Sequence, residues 1–240
     1  MPSEPRYKRV VVKLSGEALA APDRGGVDAD AVEAIVDQFA QAATLGVQIA
    51  IVIGGGNFIR GRQLADNPHI GRVTADYMGM LATTINALAL RDALESRGLP
   101  ATVLGGLAIE TVVDPVDIRR ADEHLQAGRI LVLAGGTGRP FFTTDTCAAL
   151  RACELGADVV LKATKVDGVF DSDPNTNPNA KRFDRLTYEK VIADKLGVMD
   201  LTAVSLCMDN NVPIIVFDLF APGALAAAVG GKDIGTVIGA

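Results

Sequence analysis

The sequence has little of what marks several large classes of protein. Its hydrophobic residues, 49% of the chain, come in short runs broken by Gly, Asp and Arg. None approaches the roughly 18 apolar residues of a membrane-spanning helix. Met1 to Val10 carries Arg6, Lys8 and Arg9 but no apolar stretch of signal-peptide length, so a cytoplasmic location without a membrane partner is expected. The three cysteines, Cys147, Cys153 and Cys207, form no CxxC pair and have no His at ligand spacing, which argues against a zinc site or a structural disulfide. The formal net charge is −6 with no block of basic residues, so a nucleic-acid groove, which depends on clustered Lys and Arg, is not expected. There is no GxxxxGK(S/T) phosphate loop. The nearest dinucleotide pattern, Gly136 to Phe141, places Phe141 where a third glycine belongs. His69 and His124 stand too far from other such groups to form a metal pair or a triad.

What is present is a recurring unit: a short β-branched run, a Gly-containing turn, then a helical stretch. Val10–Leu14, Val47–Ile53, Ala101–Leu104, Arg129–Ala134, Asp158–Lys162 and Pro213–Asp218 read as buried strands, with a last one at Gly235–Ile238. Continuous apolar runs alternating with helices predict an α/β fold, a three-layer sandwich whose central, mainly parallel sheet has helices on both faces. A first helix is predicted from a capped start at Asp30 and Glu33, with Val32, Ile35, Val36 and Phe39 as its buried stripe and Gly46 as its stop. Others are expected from about Asp76 to Arg97, from Asp117 to Ala127 and from Asp145 to Leu155. The stretch Ala163 to Arg182, dense in Asp, Asn and Pro, reads either as a functional loop or as a surface insertion. No linker divides the chain, which is read as one domain over 1–240.

Two segments suit anions. In the first, a strand runs into Gly54, Gly55, Gly56 and Asn57, followed by Arg60 and Arg62. Without Cβ atoms, backbone N–H groups can converge on a phosphate; a plain tight turn would need only one glycine. In the second, Gly135, Gly136, Thr137, Gly138, Arg139 and Pro140 lead through Phe141, Phe142, Thr143 and Thr144 to Asp145 at a helix start, where free N–H donors and the positive dipole end gather. Thr144 and Asp145 suit N-capping equally well. Two such loops at strand carboxyl ends suggest two phosphorylated ligands facing across a cleft. Lys13 and Lys162 each follow a buried apolar run, where a lysine must emerge at a sheet edge, snorkel or be paired. Phosphoryl transfer needs such cations, because its transition state spreads negative charge over three oxygens.

Five segments occur in order: Lys13-Leu-Ser-Gly16; Gly54-Gly-Gly-Asn57-x-x-Arg60-Gly61; Asp76-x-Met-Gly-Met-Leu-Ala82; Thr137-Gly-x-Pro-Phe-Phe-Thr-Thr-Asp145; and Lys162-Ala-Thr-Lys-Val-Asp-Gly-Val-Phe170 with Asp173-Pro174 beyond. Together they closely resemble the bacterial uridylate kinase (UMP kinase) branch of the amino acid kinase superfamily, over essentially the whole chain. The resemblance implies transfer of the γ-phosphoryl group of ATP to UMP with Mg²⁺, on the route towards CTP. It implies an acceptor-binding lobe at about 1–150 and an ATP-binding lobe at about 151–240. Lys13, Arg60, Asp145 and Lys162 would be catalytic, with Asp145 holding the lysines by ion pairing. ATP would be bound by Lys13, Leu14, Ser15, Gly16, Gly56, Arg60, Thr164, Phe170 and Asp173. UMP would be bound by Gly55, Asp76, Thr137, Gly138, Arg139, Pro140, Phe141, Phe142, Thr143 and Thr144, with Asp76 suited to accept from ribose hydroxyls. Asp145, Asp173 and Asp200 are each candidate metal ligands. The resemblance also implies a homohexamer activated by GTP and inhibited by UTP. The GTP-response segment falls on Ala21, Pro22, Asp23, Arg24, Gly25 and Gly26, which match the family only loosely, and Arg139 stands where the family commonly has Asn. The rivals are a kinase of the same fold acting on a carboxylate or carbamate, and a catalytically silent nucleotide sensor.

Overall fold

The computed structural model describes residues 5–22, 24–59, 69–174 and 176–239. Each predicted strand forms within a residue or two of its expected bounds: β1 (Arg9–Leu14), β2 (Gln48–Ile53), β3 (Ala101–Gly105), β5 (Ile130–Ala134), β6 (Val159–Thr164), β10 (Ile214–Asp218) and β11 (Thr236–Ile238). Four two-residue strands join them: β4 (Asp114–Pro115), β7 (Val169–Phe170), β8 (Arg182–Phe183) and β9 (Arg185–Leu186). Nine strands make one sheet in the order β4-β3-β5-β2-β1-β6-β10-β11-β9. Within it only the β10–β11 pair is antiparallel.

Alternation along the strands divides the core into two. Val10, Val12 and Leu14 of β1 pack on one side with helices α1 (Ala29–Ala43), α2 (Arg72–Ser96) and α7 (Ala224–Val229). Val11 faces the other side, covered by α3 (Ile118–Gln126), α4 (Thr144–Leu155), α5 (Tyr188–Ala193) and α6 (Leu201–Asp209). Burial on both faces is what the uninterrupted apolar strands require.

Several boundaries differ from expectation for local reasons. The cap of α1 is Asp28, whose carboxylate accepts from the Ala31 N–H at 3.0 Å; Asp30 lies inside the first turn. Helix α2 starts at Arg72, ahead of Asp76, and Arg72 and Asp76 pair across that first turn. Helix α4 is capped by Thr143 rather than by Thr144 or Asp145. The 163–182 stretch is only partly irregular, since β6 extends to Thr164 and β7 pairs antiparallel with β8. Helices α5, α6 and α7 were not anticipated. Gly46 and Gly98 do end their helices, with φ of 71° and 74°, values that favour glycine.

Candidate active site

Strand parity places the central charges. Lys13 shares the Val11 face of β1, and Lys162 shares the Val160 face of β6; both therefore point to the side where α4 lies. The register sets Lys13 directly beside Lys162. Asp145, in the first turn of α4, takes both: Lys13 Nζ is 3.0 Å from Oδ1 and Lys162 Nζ is 2.9 Å from Oδ2. Lys162 also donates to the Val198 carbonyl. All three side chains are about 15% exposed, so the charges are weakly screened. Burial pushes the Asp145 carboxyl upward, but the fields of Lys13 and Lys162 outweigh it and hold the group below its ordinary value. Burial, reinforced by Lys13, holds the Lys162 ammonium below the ordinary lysine value despite the opposing pull of Asp145 and Asp200.

Thr143 and Thr144, which precede Asp145 in the chain, line a cavity of 540 Å³. Gly55 and Gly56 form part of its wall, with Asp76, Met80, Thr137, Phe142 and Thr144 around them. Gly55 has to be glycine, because a Cβ there would sit 2.8 Å from both Ala82 Cβ and the Gly79 carbonyl oxygen of α2. The opposing loop is tied to the same helix: the Gly135 N–H donates to Thr83 Oγ1 at 2.7 Å. Asp76 accepts from Arg72 Nε at 2.9 and 3.0 Å and from the Phe141 N–H at 2.8 Å. The Arg72 guanidinium lies 5.6 Å from the centre of the Phe141 ring. At the mouth of α4, Thr143 caps the Thr146 N–H at 3.1 Å and donates to Asp200, which in turn caps α6 through the Ala203 N–H at 3.0 Å.

A smaller cavity of 210 Å³ is lined by Lys13, Ser15, Lys162 and Thr164 together with Glu17, Lys165, Leu219 and Phe220. A third cavity, 520 Å³, continues from Glu17 and Gly56 past Ala21, Pro22, Arg24 and Gly25.

The structure thus gathers Gly55, Asp76, Thr137, Phe142, Thr143 and Thr144 around one cavity, and Lys13, Ser15, Lys162 and Thr164 around another. Other predicted residues fall outside these walls. Gly138 packs on Gly106, Arg139 turns back on Thr137 through hydrogen bonds of 3.2 Å, and Phe141 is 65% exposed. Phe170 sits on the β7–β8 hairpin, and the Asp173 carbonyl accepts from the Asn177 N–H in the turn beyond it. Arg60 and Asp23 lie outside the described residues. Arg72, Thr83, Leu219 and Phe220 were missed. Leu219 and Phe220 follow a strand carboxyl end, a usable signal; Arg72 and Thr83 show none in sequence.

Two lysines paired on one largely buried carboxylate, with Lys13 and Lys162 lining a cavity and a glycine-walled cavity at the start of the same helix, are the arrangement of a phosphotransferase. The model of the Amino acid kinase family matches residues 8–218, and the chain belongs to that family. It is 51% identical over 235 residues to a uridylate kinase of Legionella pneumophila (strain Paris), covering 98% of this chain and 95% of that protein. The crystal structure of UMP kinase from Bacillus anthracis superposes with a TM-score of 0.94 at 40% identity, covering 97% of this chain and 96% of that one. UMP kinase from Ureaplasma parvum gives a TM-score of 0.91 at 34% identity, covering 98% and 100%. Among the described residues no helix is long and apolar enough to cross a membrane.

Proposed function

We propose that the chain transfers the γ-phosphoryl group of ATP to UMP, giving ADP and UDP, as a step in pyrimidine nucleotide synthesis in the cytoplasm. The observation that carries this reading is the Lys13–Asp145–Lys162 arrangement, whose two lysines line the 210 Å³ cavity. ATP would lie along the cavity of Lys13, Ser15 and Thr164, with the 151–240 part of the chain and the β7–β8 hairpin on its nucleoside side. UMP would occupy the cavity of Gly55, Asp76 and Thr137. An oxygen of the UMP phosphate attacks the γ-phosphorus, the bond from that phosphorus to the bridging β-oxygen breaks, and ADP leaves with the electron pair. The attacking phosphate is already an anion, so no strong base is needed. Lys13 and Lys162 offset the charge spreading over the equatorial oxygens, while Asp145 keeps the two ammonium groups together.

Among the described residues no three His, Cys, Asp or Glu cluster as a resident metal site. A magnesium ion carried on the nucleotide phosphates needs only one or two carboxylates, and Asp145, beside Lys13 and Lys162, and Asp200, beside Thr143, are the candidates. Bound there, it would neutralise phosphate charge. The 520 Å³ cavity beside Ala21, Pro22, Arg24 and Gly25 supports an effector site for GTP in that segment, with UTP as the opposing ligand. Val73, Tyr77, Leu81 and Ile85 lie exposed at helical spacing along α2, an apolar stripe that supports a homo-oligomer, which we assign as a hexamer.

Assays of ADP release with a panel of acceptors test the substrate. UMP should support turnover and hydroxylamine should trap no product. CMP should be a poor acceptor, because its exocyclic amine donates where uracil O4 accepts, and the mismatch leaves a buried group unpaired. ADP release with acetylglutamate, aspartate or carbamate but not UMP would contradict the assignment. Tight ATP binding without turnover on any acceptor would favour a sensor.

A further inference from the structure

Beneath the first glycine loop lies a polar pair that the reaction itself does not use. Asn57 and Asn86, 8% and 0% exposed, face each other as a closed ring. Asn57 Nδ2 donates to Asn86 Oδ1 at 2.9 Å, and Asn86 Nδ2 donates to Asn57 Oδ1 at 2.7 Å. The remaining amide protons reach the backbone: Asn57 Nδ2 to the Gly26 carbonyl at 2.6 Å, and Asn86 Nδ2 to the Gly54 carbonyl at 2.7 Å. Every side-chain N–H of the pair is spent, and the Gly26 N–H returns to the Asn57 carbonyl at 3.1 Å.

A buried amide pair costs desolvation that an apolar pair of similar volume would avoid, and in return it specifies one arrangement of its neighbours. Here the neighbour is a peptide plane. The Gly54 carbonyl and the Gly55 N–H belong to one trans peptide unit and point in opposite directions. Holding the Gly54 oxygen inward on Asn86 therefore turns the Gly55 N–H away from the core, on the loop that walls the acceptor cavity. Among the described residues neither the Gly55 nor the Gly56 N–H has a protein acceptor, as a phosphate cradle requires. The loop also touches the exit of β1, since a Cβ on Gly16 would lie 2.5 Å from Asn57 Oδ1 and 2.8 Å from the Gly56 nitrogen.

We infer that Asn57 and Asn86 are positioning residues for phosphoryl transfer, setting the Gly54–Gly56 loop against helix α2 and the Gly25–Gly26 segment. The inference rests on the proposed reading of that loop as a phosphate cradle. It also means that a shift of α2, or a ligand on the 21–26 segment, reaches the loop through one amide pair.

Two variants of the full-length enzyme test it. Leu suits a helix interior and has the same γ-branched skeleton as Asn with a modest gain in volume, so Asn86→Leu removes both donors while keeping the side-chain shape. In this variant kcat should fall about tenfold or more while the KM for ATP changes less than about threefold, since misplacement of a reacting group costs turnover first. Asn86→Asp adds a pH signature. Its carboxylate has no proton for the Gly54 oxygen, but burial raises its pKa, and once protonated it regains one donor. The ratio of its kcat to that of the parent should rise at least about threefold from pH 8 to pH 6, while the Asn86→Leu ratio stays flat. Glu17, Arg24 and Lys165, which line the cavity beside Asn57, are common to parent and variants, so their titration cancels in the ratio. A folded Asn86→Leu with parental kcat, or a flat ratio for Asn86→Asp, would overturn the inference. A parent inactive on UMP would contradict the proposed substrate instead, and the same ratios would then be measured with whichever acceptor it phosphorylates.

Discussion

Two ammonium groups share one carboxylate, as Lys13 and Lys162 share Asp145, and their mutual repulsion is offset only while that carboxylate stays ionised. With its value held below that of an ordinary carboxyl, Asp145 is ionised throughout the neutral range. Its stabilising contribution is therefore complete above the unfolded value of 3.8 and is lost as pH falls through the lower folded value. Lys162 has the opposite consequence for activity. Because its folded value is lowered, the alkaline limb of kcat should begin below the ordinary lysine value of 10.5. Lys162→Arg should move that limb upward, since guanidinium does not titrate there, and a pH–rate profile decides the matter. The acceptor side makes its own prediction. Asp76→Asn should raise the UMP KM about tenfold or more and the ATP KM far less, because loss of a charged hydrogen-bond partner costs about 1.5–3 kcal/mol. Equal effects on both substrates would make Asp76 a scaffold residue, holding Arg72 and the Phe141 N–H and nothing else. Lys13 and Lys162 could be picked out in the sequence because charge after a buried strand is costly and conspicuous. Asn86 could not: a polar residue in the middle of a long helix ordinarily faces solvent, and only the fold turns it inward.

At the scale of elements, the seven longer strands were legible because each is an apolar run ending at Gly, Asp or Lys, as a sheet buried on both faces favours. The alternation that aims Lys13 and Lys162 at α4 lies in the same letters: Val11 and Lys13 share one face, as do Val160 and Lys162. The short helices were hidden for an equally physical reason. Ala224–Val229 is apolar all round and so has no amphipathic period to read. Strand β9, with two residues, is defined by its pairing with β11 rather than by its own composition. The cap of α1 was misplaced because Asp28 and Asp30 are equally good caps in isolation, and tertiary context chooses between them. The second loop depends on backbone contact that no side chain announces. Gly138 has φ 74°, and a Cβ there would strike the Gly106 carbonyl oxygen. Gly138→Ala should therefore weaken UMP binding and lower Tm, measurable by titration and thermal unfolding, while the ATP KM is little changed.

For the molecule as a whole, Val73, Tyr77, Leu81 and Ile85 leave an apolar ridge on the outer side of α2, whose inner side holds Thr83 and Asn86 at the two loops. In the homo-oligomer we propose, assembly and site geometry share one helix. Leu81→Glu should dissociate the oligomer in sedimentation and weaken any response to GTP and UTP; a parental enzyme that sediments as a fully active monomer would contradict that coupling. The central claim concerns the transferred group itself and is tested by single-turnover transfer from γ-³²P-labelled ATP, parent against Lys162→Ala. The account predicts label appearing in UDP and not in free phosphate. It also predicts a transfer rate at least about a hundredfold lower in the folded variant, as expected for a cation worth about 3 kcal/mol in a water-poor site. Label reaching UDP at the parental rate without Lys162, or accumulating as inorganic phosphate in the parent, would contradict it.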